Sequence, residues 1–295
     1  MPRAGIVTVV GKPNAGKSTL LNRIVGQKLA ITSAKPQSTR DRVVGIHTVG
    51  DVQMIVLDTP GLLEPRYALH AAMRRTALEA LRDADVVLYL VDATEGPPRP
   101  LAEVAALQPH EMPKAPVVLV LNKVDALGDG ARATLQAEHP EALLISALGG
   151  DGLEALLTAA GSRLPESPFL YPEDEISTQN LRFFAAELVR ETALEQLDDE
   201  VPYSVACVIE EFREERSPVY IRAVLHVERD SQKRILIGAK GARIRDIGRV
   251  ARGKIEALIE ASVYLDLWVK VLPNWRRDEH ALRRFGYHVP SDPNA

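Results

Sequence analysis

The apolar positions of the chain fall into two regimes. In the first, short runs rich in β-branched residues recur at 6–10, 44–47, 54–57, 86–91, 117–121 and 142–145. Longer stretches of helical character lie between several of them, and Leu69, Met73, Ala77 and Leu81 step by four along one such face. Strands alternating with helices predict a mostly parallel sheet covered by helices on both faces.

The pattern breaks at 164–176, LPESPFLYPEDEI, where three prolines and four acids read as a stiff, exposed connection. This divides the chain into a first domain at 1–163, a linker at 164–176 and a second domain at 177–295. In the second regime a helix is expected from about Thr178, with Leu181, Phe184, Ala185 and Leu188 on one face. Alternating strands follow at 203–210 and 219–227, then a helical run at 231–237, a GAKG turn and a helix over 242–261. A last strand alternates through Val263, Leu265, Leu267, Val269 and Val271. The order is helix, strand, strand, helix, helix, strand, an α+β unit placed after an α/β one.

Composition narrows the function classes. With 46% hydrophobic and 26% charged residues over 295 positions, the bulk of the chain is neither disordered nor fibrous. A single cysteine, Cys207, excludes an intrachain disulfide and a thiolate metal cage and fits a reducing cytoplasm; it is expected to pack as a small hydrophobe. No apolar run is long enough to span a membrane. The seven histidines show no metal-ligand spacing, His226 is read as a packed residue, and Trp268 is expected beneath a helix.

The formal charge of −4 hides a polarised second domain. Residues 187–215 carry ten acids against Arg190 and Arg213, whereas 233–254 carry eight bases against Asp246. A solvated helix normally mixes signs, so the basic run reads as a polyanion contact.

Four short motifs carry chemistry. Gly11-Lys12-Pro13-Asn14-Ala15-Gly16-Lys17-Ser18 follows the first strand and precedes a helical run, the setting of a phosphate-binding loop. Its glycines let backbone N–H groups turn around phosphate oxygens. Lys17 neutralises the β and γ phosphates, and Ser18 offers a hydroxyl to Mg²⁺. Asp58-Thr59-Pro60-Gly61 ends the third strand, where the acid can hold Mg²⁺ through water and the Gly61 N–H can approach a γ-phosphate. Leu62, the next residue, stands where many such enzymes carry a glutamine that orients water. Asn122-Lys123-Val124-Asp125 places a carboxylate to accept from the N1–H and N2–H of guanine, donors that adenine lacks. Ser146-Ala147 can present a backbone N–H to the guanine oxygen.

In this order, each at a strand end, these motifs resemble the translation-factor-type GTPase domain over residues 3 to 163. The resemblance implies GTP and GDP as ligands, Mg²⁺ between Ser18, Asp58 and a threonine of the first switch, and catalysis carried by Lys17, that threonine and Gly61. Thr39 in Gln37-Ser38-Thr39-Arg40 is the expected threonine, with Ser38 beside it. For P-loops with asparagine at the Asn14 position, it also implies a K⁺ ion held near that side chain, the phosphates and the switch at 32–37.

Ile237-Gly238-Ala239-Lys240-Gly241, followed by Ile244, resembles the GxxG loop of a KH domain. A side chain at either glycine would keep a nucleic-acid backbone from the two helix ends. Lys233, Arg234, Lys240, Arg243 and Arg245 supply cations around it. A GTPase domain followed by one bacterial-type (type II) KH domain resembles the Era family, and KPQSTRDRVVGIHT, PYSVACVIEEF, QKRILIGAKGARI and WRRDEHALRRFGY extend the likeness along nearly the whole chain. The resemblance implies a monomeric, cytoplasmic, GTP-switched factor that hydrolyses GTP slowly, binds the 3′ end of small-subunit ribosomal RNA and acts in small-subunit biogenesis; some members associate peripherally with the inner membrane. The alternative is a membrane-associated cell-cycle or traffic GTPase whose basic run binds anionic lipid. It calls for an amphipathic helix with exposed large apolar residues, whereas this run is organised around GAKG.

Overall fold

The computed structural model describes residues 1–289 except Ala34 and Leu63; the end of the expected second domain, 290–295, and Ala34 within the expected switch lie outside the described residues. Backbone contacts divide the chain into two compact units. One comprises residues 1–66 with 70–178, the other residues 67–69 with 179 onward.

The first unit runs β1 (Arg3–Val10), α1 (Lys17–Val25), β2 (Val43–Val49), β3 (Val52–Asp58), α2 (Ala68–Asp83), β4 (Val86–Asp92), α3 (Leu101–Val104), β5 (Val117–Asn122), α4 (Asp129–Glu138), β6 (Leu143–Leu144) and α5 (Leu153–Gly161). Its sheet has the order β2-β3-β1-β4-β5-β6, with only β2 antiparallel. Val86, Val87, Leu88, Tyr89 and Leu90 in β4 are all buried, so consecutive residues are covered on opposite faces of the sheet. This is why the strands read as continuous apolar runs rather than alternations. The expected strand at 142–145 shortens to two residues, Leu143–Leu144.

Residues 164–176 are not a free connection. Glu166 bridges Arg3, the Leu170 and Tyr171 N–H groups donate to Gln53 Oε1 at 2.8 and 3.0 Å, and Ile46 N–H donates to Ile176 O at 2.8 Å. Tyr171 also packs against Val44, Ile55 and Leu57. Prolines remove donors from this segment, but Leu170, Tyr171 and Ile176 still bond to residues of β2 and β3.

The second unit runs α6 (Leu181–Gln196), α7 (Val201–Ser204), β7 (Ala206–Arg213), β8 (Val219–Val227), α8 (Asp230–Ile237), α9 (Ala242–Ile259), β9 (Val263–Val271) and α10 (Glu279–Arg284). The expected order holds, with one-turn α7 added and α10 following β9. Tyr203, expected in a strand, lies in that helix, where Pro202 occupies an early position that needs no N–H partner. β7 pairs antiparallel and β9 parallel with β8. Ala185, Val189 and Ala193 of α6 and Ile247, Ala251 and Ile255 of α9 meet the inner residues of the sheet, all nearly inaccessible.

On β9 the odd-numbered residues face this core and the even ones face away. Trp268 is therefore 54% exposed, its indole N–H donating to Asp266 Oδ1 at 2.8 Å, rather than packed beneath a helix. Trp275 is instead buried, donating to Ser204 O at 2.9 Å and meeting Phe285 edge to face. Phe285 also lies against the ring of His226, whose pKa burial lowers. Cys207 packs against the core, and burial raises its thiol pKa. Among the described residues no helix is long and apolar enough to cross a membrane.

Both tryptophans lie in the second unit, so their fluorescence reports its unfolding. Ile247→Ala should destabilise that unit by about 2–5 kcal/mol in urea titrations. A loss below about 1 kcal/mol would remove Ile247 from its core.

Candidate nucleotide site and nucleic-acid interface

β1 ends in the loop that opens α1, and the loop's shape depends on the absence of side chains. Gly16 adopts φ +99°, and a Cβ there would collide with Asn122 Nδ2. Lys17, 6% exposed, folds back over its own loop. Its ammonium donates to Lys12 O at 2.8 Å and Gly11 O at 3.2 Å. Burial lowers its pKa to about 8, against the pull of Asp58. A cation this poorly hydrated favours an arriving phosphate. The loop opens on a cleft of about 470 Å³ lined by Pro13, Asn14, Gly16, Lys17, Ser18, Thr39, Gly61 and Lys123, among others.

Three oxygen-bearing side chains converge at one end of this cleft. Ser18 Oγ donates to Asp58 Oδ2 at 2.6 Å, and Thr39 Oγ1 lies 2.9 Å from Ser18 Oγ and 3.3 Å from the same carboxylate oxygen. The residues expected around a metal are thus brought together from α1, the loop before β2 and the end of β3, and Thr39 is the first-switch hydroxyl placed there. Burial pushes the Asp58 carboxyl up, opposed by Lys17, Ser18 and Thr39. Its Oδ1 is buried with no hydrogen-bond partner among the described residues. Gly61 sits so near Pro13 that a Cβ would lie 2.9 Å from the proline Cγ. The loops after β1 and β3 therefore touch.

Several expected contact residues prove to be internal braces. Thr59 Oγ1 donates to Val9 O at 2.8 Å, and Pro60 is buried. Leu62 is buried with Val10, Ala77, Leu81 and Val87, so its side chain belongs to the core and not to the cleft. Val124 likewise packs with Ala93, Leu121 and Ala142. Hydrophobic side chains beside a polar motif follow the core, which the motif's spacing does not reveal.

At the end of β5, Asn122 is 2% exposed. Its Nδ2 donates to Ala15 O at 2.8 Å, and its Oδ1 accepts the Ala147 N–H at 2.9 Å. Of the two N–H groups in the Ser146-Ala147 dipeptide, that of Ala147 thus bonds Asn122 and that of Ser146 bonds Asp151 O at 3.0 Å. The next residue, Leu148, has an exposed side chain. The Ser146 hydroxyl accepts the Gly149 N–H at 2.8 Å and shapes the same turn. Lys123 adopts φ +67° and pairs with Asp92 Oδ2 at 2.6 Å, which keeps its aliphatic stem along the cleft. Asp125 is exposed and makes no hydrogen bond or ion pair with the described residues. Sequence reasoning missed Asp92 and its partner Thr94 Oγ1, 2.7 Å away, because the acid simply ends an apolar strand. It also missed Asn22, whose Oδ1 accepts the Leu29 and Ala30 N–H groups at 2.9 and 2.8 Å and anchors the chain leaving α1.

In the second unit, α8 and α9 are joined by GAKG. Gly238 adopts φ +71°, and a Cβ there would lie 2.7 Å from Arg243 Cβ and 2.9 Å from its N. At Gly241, φ +76°, a Cβ would meet only Arg245 Nη1 at 3.8 Å and Ile244 Cγ2 at 4.0 Å, ordinary contacts, and Ala239 and Lys240 between the two glycines are exposed. Ile244 and Leu236 turn to the core, Ile237 is half-buried, and Ile235, which the sequence reading passed over, is 50% exposed.

The basic run divides in two. Lys254 is bound to Glu191 and Glu195 of α6 at 2.9 and 2.8 Å, Arg249 to Asp246 at 2.6 Å, Arg252 approaches Glu256 at 3.9 Å, and Arg243 donates to Gln196 O. The side chains of Lys233, Arg234, Lys240 and Arg245 make no hydrogen bond or ion pair with the described residues. Part of the acidic run thus balances part of the basic one, and the unbalanced cations flank GAKG.

Comparison with known proteins agrees with both units. A family profile described as 50S ribosome-binding GTPase matches residues 6–123, and one described as KH domain matches residues 200–276. The chain is 45% identical over 293 residues to GTPase Era of Ectopseudomonas mendocina and 46% identical to that of Pseudomonas syringae pv. tomato, covering 97% of each protein. It is also similar, at a TM-score of 0.88 and 40% identity, to an Aquifex aeolicus Era variant bound to GDP·AlF4⁻, covering 97% of this chain and 100% of that one. A structure of Era with MgGDPNP and nucleotides 1506–1542 of 16S ribosomal RNA matches with the same score and identity over 98% of this chain. A cleft built for a guanine nucleotide, a GxxG turn between two helices and likeness along almost the full length lead to one conclusion: the chain belongs to the Era family of RNA-binding GTPases.

Proposed function

We propose that this protein is a GTP-driven switch that binds the 3′ end of small-subunit ribosomal RNA through α8, GAKG and α9 and acts on the small subunit in the cytoplasm. The reading is supported chiefly by the four uncompensated cations beside GAKG, in a chain 40% identical to an Era that binds 16S nucleotides 1506–1542. Phosphates would meet Lys240 and the two helix ends, while single-stranded bases lie along the half-buried apolar residues.

In the cleft, Lys17 would exchange its two loop carbonyls for β and γ phosphate oxygens. Asp125 would read the guanine N1–H and N2–H, and the N–H of the 146–148 turn would read O6. The residues at the metal corner fit Mg²⁺: Ser18 and Thr39 bring hydroxyls, and Asp58 has a buried, unpartnered oxygen that a cation's water would satisfy. The ion would supply charge neutralisation to the phosphates. Gly61, free of side-chain bulk, would bring its N–H to the γ-phosphate.

Leu62 cannot orient water, so intrinsic hydrolysis is slow. Asn14, at φ +63° on the cleft rim, would help to hold K⁺ where charge develops between the β and γ phosphates.

Asp125→Asn should change the base preference from guanine to xanthine, whose altered donors and acceptors match an amide. A variant that still prefers GTP over XTP would remove Asp125 from base reading.

Gly241→Asp introduces a carboxylate where the structure leaves room. It should weaken binding of the 16S 3′-end oligonucleotide by about tenfold or more while GTP affinity stays within about twofold, and wild-type RNA affinity should fall steeply with salt. Unchanged RNA binding in the folded variant, or a flat salt response, would overturn the interface.

GTP turnover should be faster in potassium than in sodium at equal ionic strength, and Asn14→Ala should abolish the difference. Equal rates in wild type, or a potassium effect that survives in the variant, would remove the ion from this position.

A further inference from the structure

Arg23 lies in the last turn of α1, on the surface, and belongs to none of the motifs. Its side chain reaches the turn after β6. Nε donates to Ala147 O at 3.3 Å, and Nη2 donates to Leu148 O. From the opposite side Asn122 Oδ1 takes the Ala147 N–H at 2.9 Å. The rest of the turn closes on itself, with Gly150 N–H to Ser146 O at 2.7 Å and Ser146 N–H to Asp151 O at 3.0 Å. Arg23 thus supplies the external hold on its carbonyls.

The geometry of the peptide bond gives this contact a directional consequence. Ala147 O and the Leu148 N–H belong to one planar, trans peptide unit, so they point to opposite edges of the same plate. Fixing the carbonyl fixes the orientation of the N–H. A cation on the oxygen also polarises the unit and makes the N–H a stronger donor. Because Asn122 already occupies the Ala147 N–H, and Ser146, Gly149 and Gly150 donate within the turn, the Leu148 N–H is the neighbouring donor left without a partner among the described residues.

We infer that Arg23 is a positioning residue for guanine recognition: by holding the Ala147 and Leu148 carbonyls from α1, it aims and strengthens the Leu148 N–H that reads O6. This rests on the base reading proposed above, in which the turn meets O6 and Asp125 meets N1–H and N2–H. An exposed arginine contributes little to stability through such contacts. Its effect should therefore appear in base discrimination.

The test measures affinities for GTP, 6-thio-GTP and ITP in the full-length wild type, Arg23→Ala and Arg23→Lys. The thio analogue replaces the O6 acceptor with sulfur, a larger and weaker acceptor, and ITP lacks only the exocyclic amine read by Asp125. One neutral hydrogen bond is worth about two- to tenfold in affinity. Wild type should prefer GTP over 6-thio-GTP by that order. In Arg23→Ala that ratio should fall toward unity while the GTP to ITP ratio is unchanged, and Arg23→Lys, which keeps a charged donor, should be intermediate.

An unchanged thio ratio in Arg23→Ala, or an equal loss for all three nucleotides, would overturn the inference and leave Arg23 a bracing role only. If wild type itself fails to distinguish GTP from 6-thio-GTP, the reading of the turn fails, and this inference with it.

Discussion

One buried carboxamide joins the two loops between which a nucleotide must fit. Asn122 ends β5, gives a hydrogen to the carbonyl of Ala15 and takes one from the N–H of Ala147. Neither bond could be replaced by water at 2% exposure, and leaving either partner unsatisfied would cost about 1–3 kcal/mol. The geometry also dictates the residue facing it. Only at a glycine can the phosphate loop pass so close to the amide nitrogen, and Gly16 is that glycine. The spacing between the loop after β1 and the turn after β6 is thereby set inside the protein.

The same economy governs charge. Lys17 and Asp58 are both buried, each shifted toward its neutral form by burial and drawn back by the other. A buried pair of this kind contributes little net stability. What it provides is readiness: a desolvated cation beside loop carbonyls that phosphate oxygens can displace, and an acid whose second oxygen lacks a partner among the described residues. In the second unit, by contrast, charges that have no ligand to meet are neutralised internally, as Lys254 is by Glu191 and Glu195.

What could be read from the sequence follows from the range over which each feature is determined. Lys17, Ser18, Asp58, Asp125 and GAKG stood out as candidates because their motifs are defined by backbone shape and charge within a few residues, and the structure gathers Lys17, Ser18 and Asp58 at one cleft. The alternation of β9 was equally local, and it places Trp268 on the face away from the core, though whether that face was covered could not be read from one strand. Asn122, Asp92 and the division of the basic run were hidden for the opposite reason. Their partners lie 107, 31 and 63 residues away, at Ala15, Lys123 and Glu191. Residues 164–176 show the limit of composition: prolines and acids pointed to the exposure that most of these side chains have, but not to the hydrogen bonds with Gln53 and Ile46 that decide where the backbone lies.

That last segment gives β2 a second duty. The strand begins at Val43, four positions after Thr39, and it is there that the departing chain is fastened, through Ile176 to Ile46 and the Ser177 hydroxyl to Val44 O at 2.6 Å. An edge strand has one free side, and here that side holds the stem from which the second unit grows. A tug on the loop bearing Thr39 would reach this stem through one continuous stretch of backbone and a pair of hydrogen bonds. The loop bearing Thr39 and the segment at 176–177 are thus tied to the same outermost strand of the sheet, one by chain continuity and the other by two hydrogen bonds.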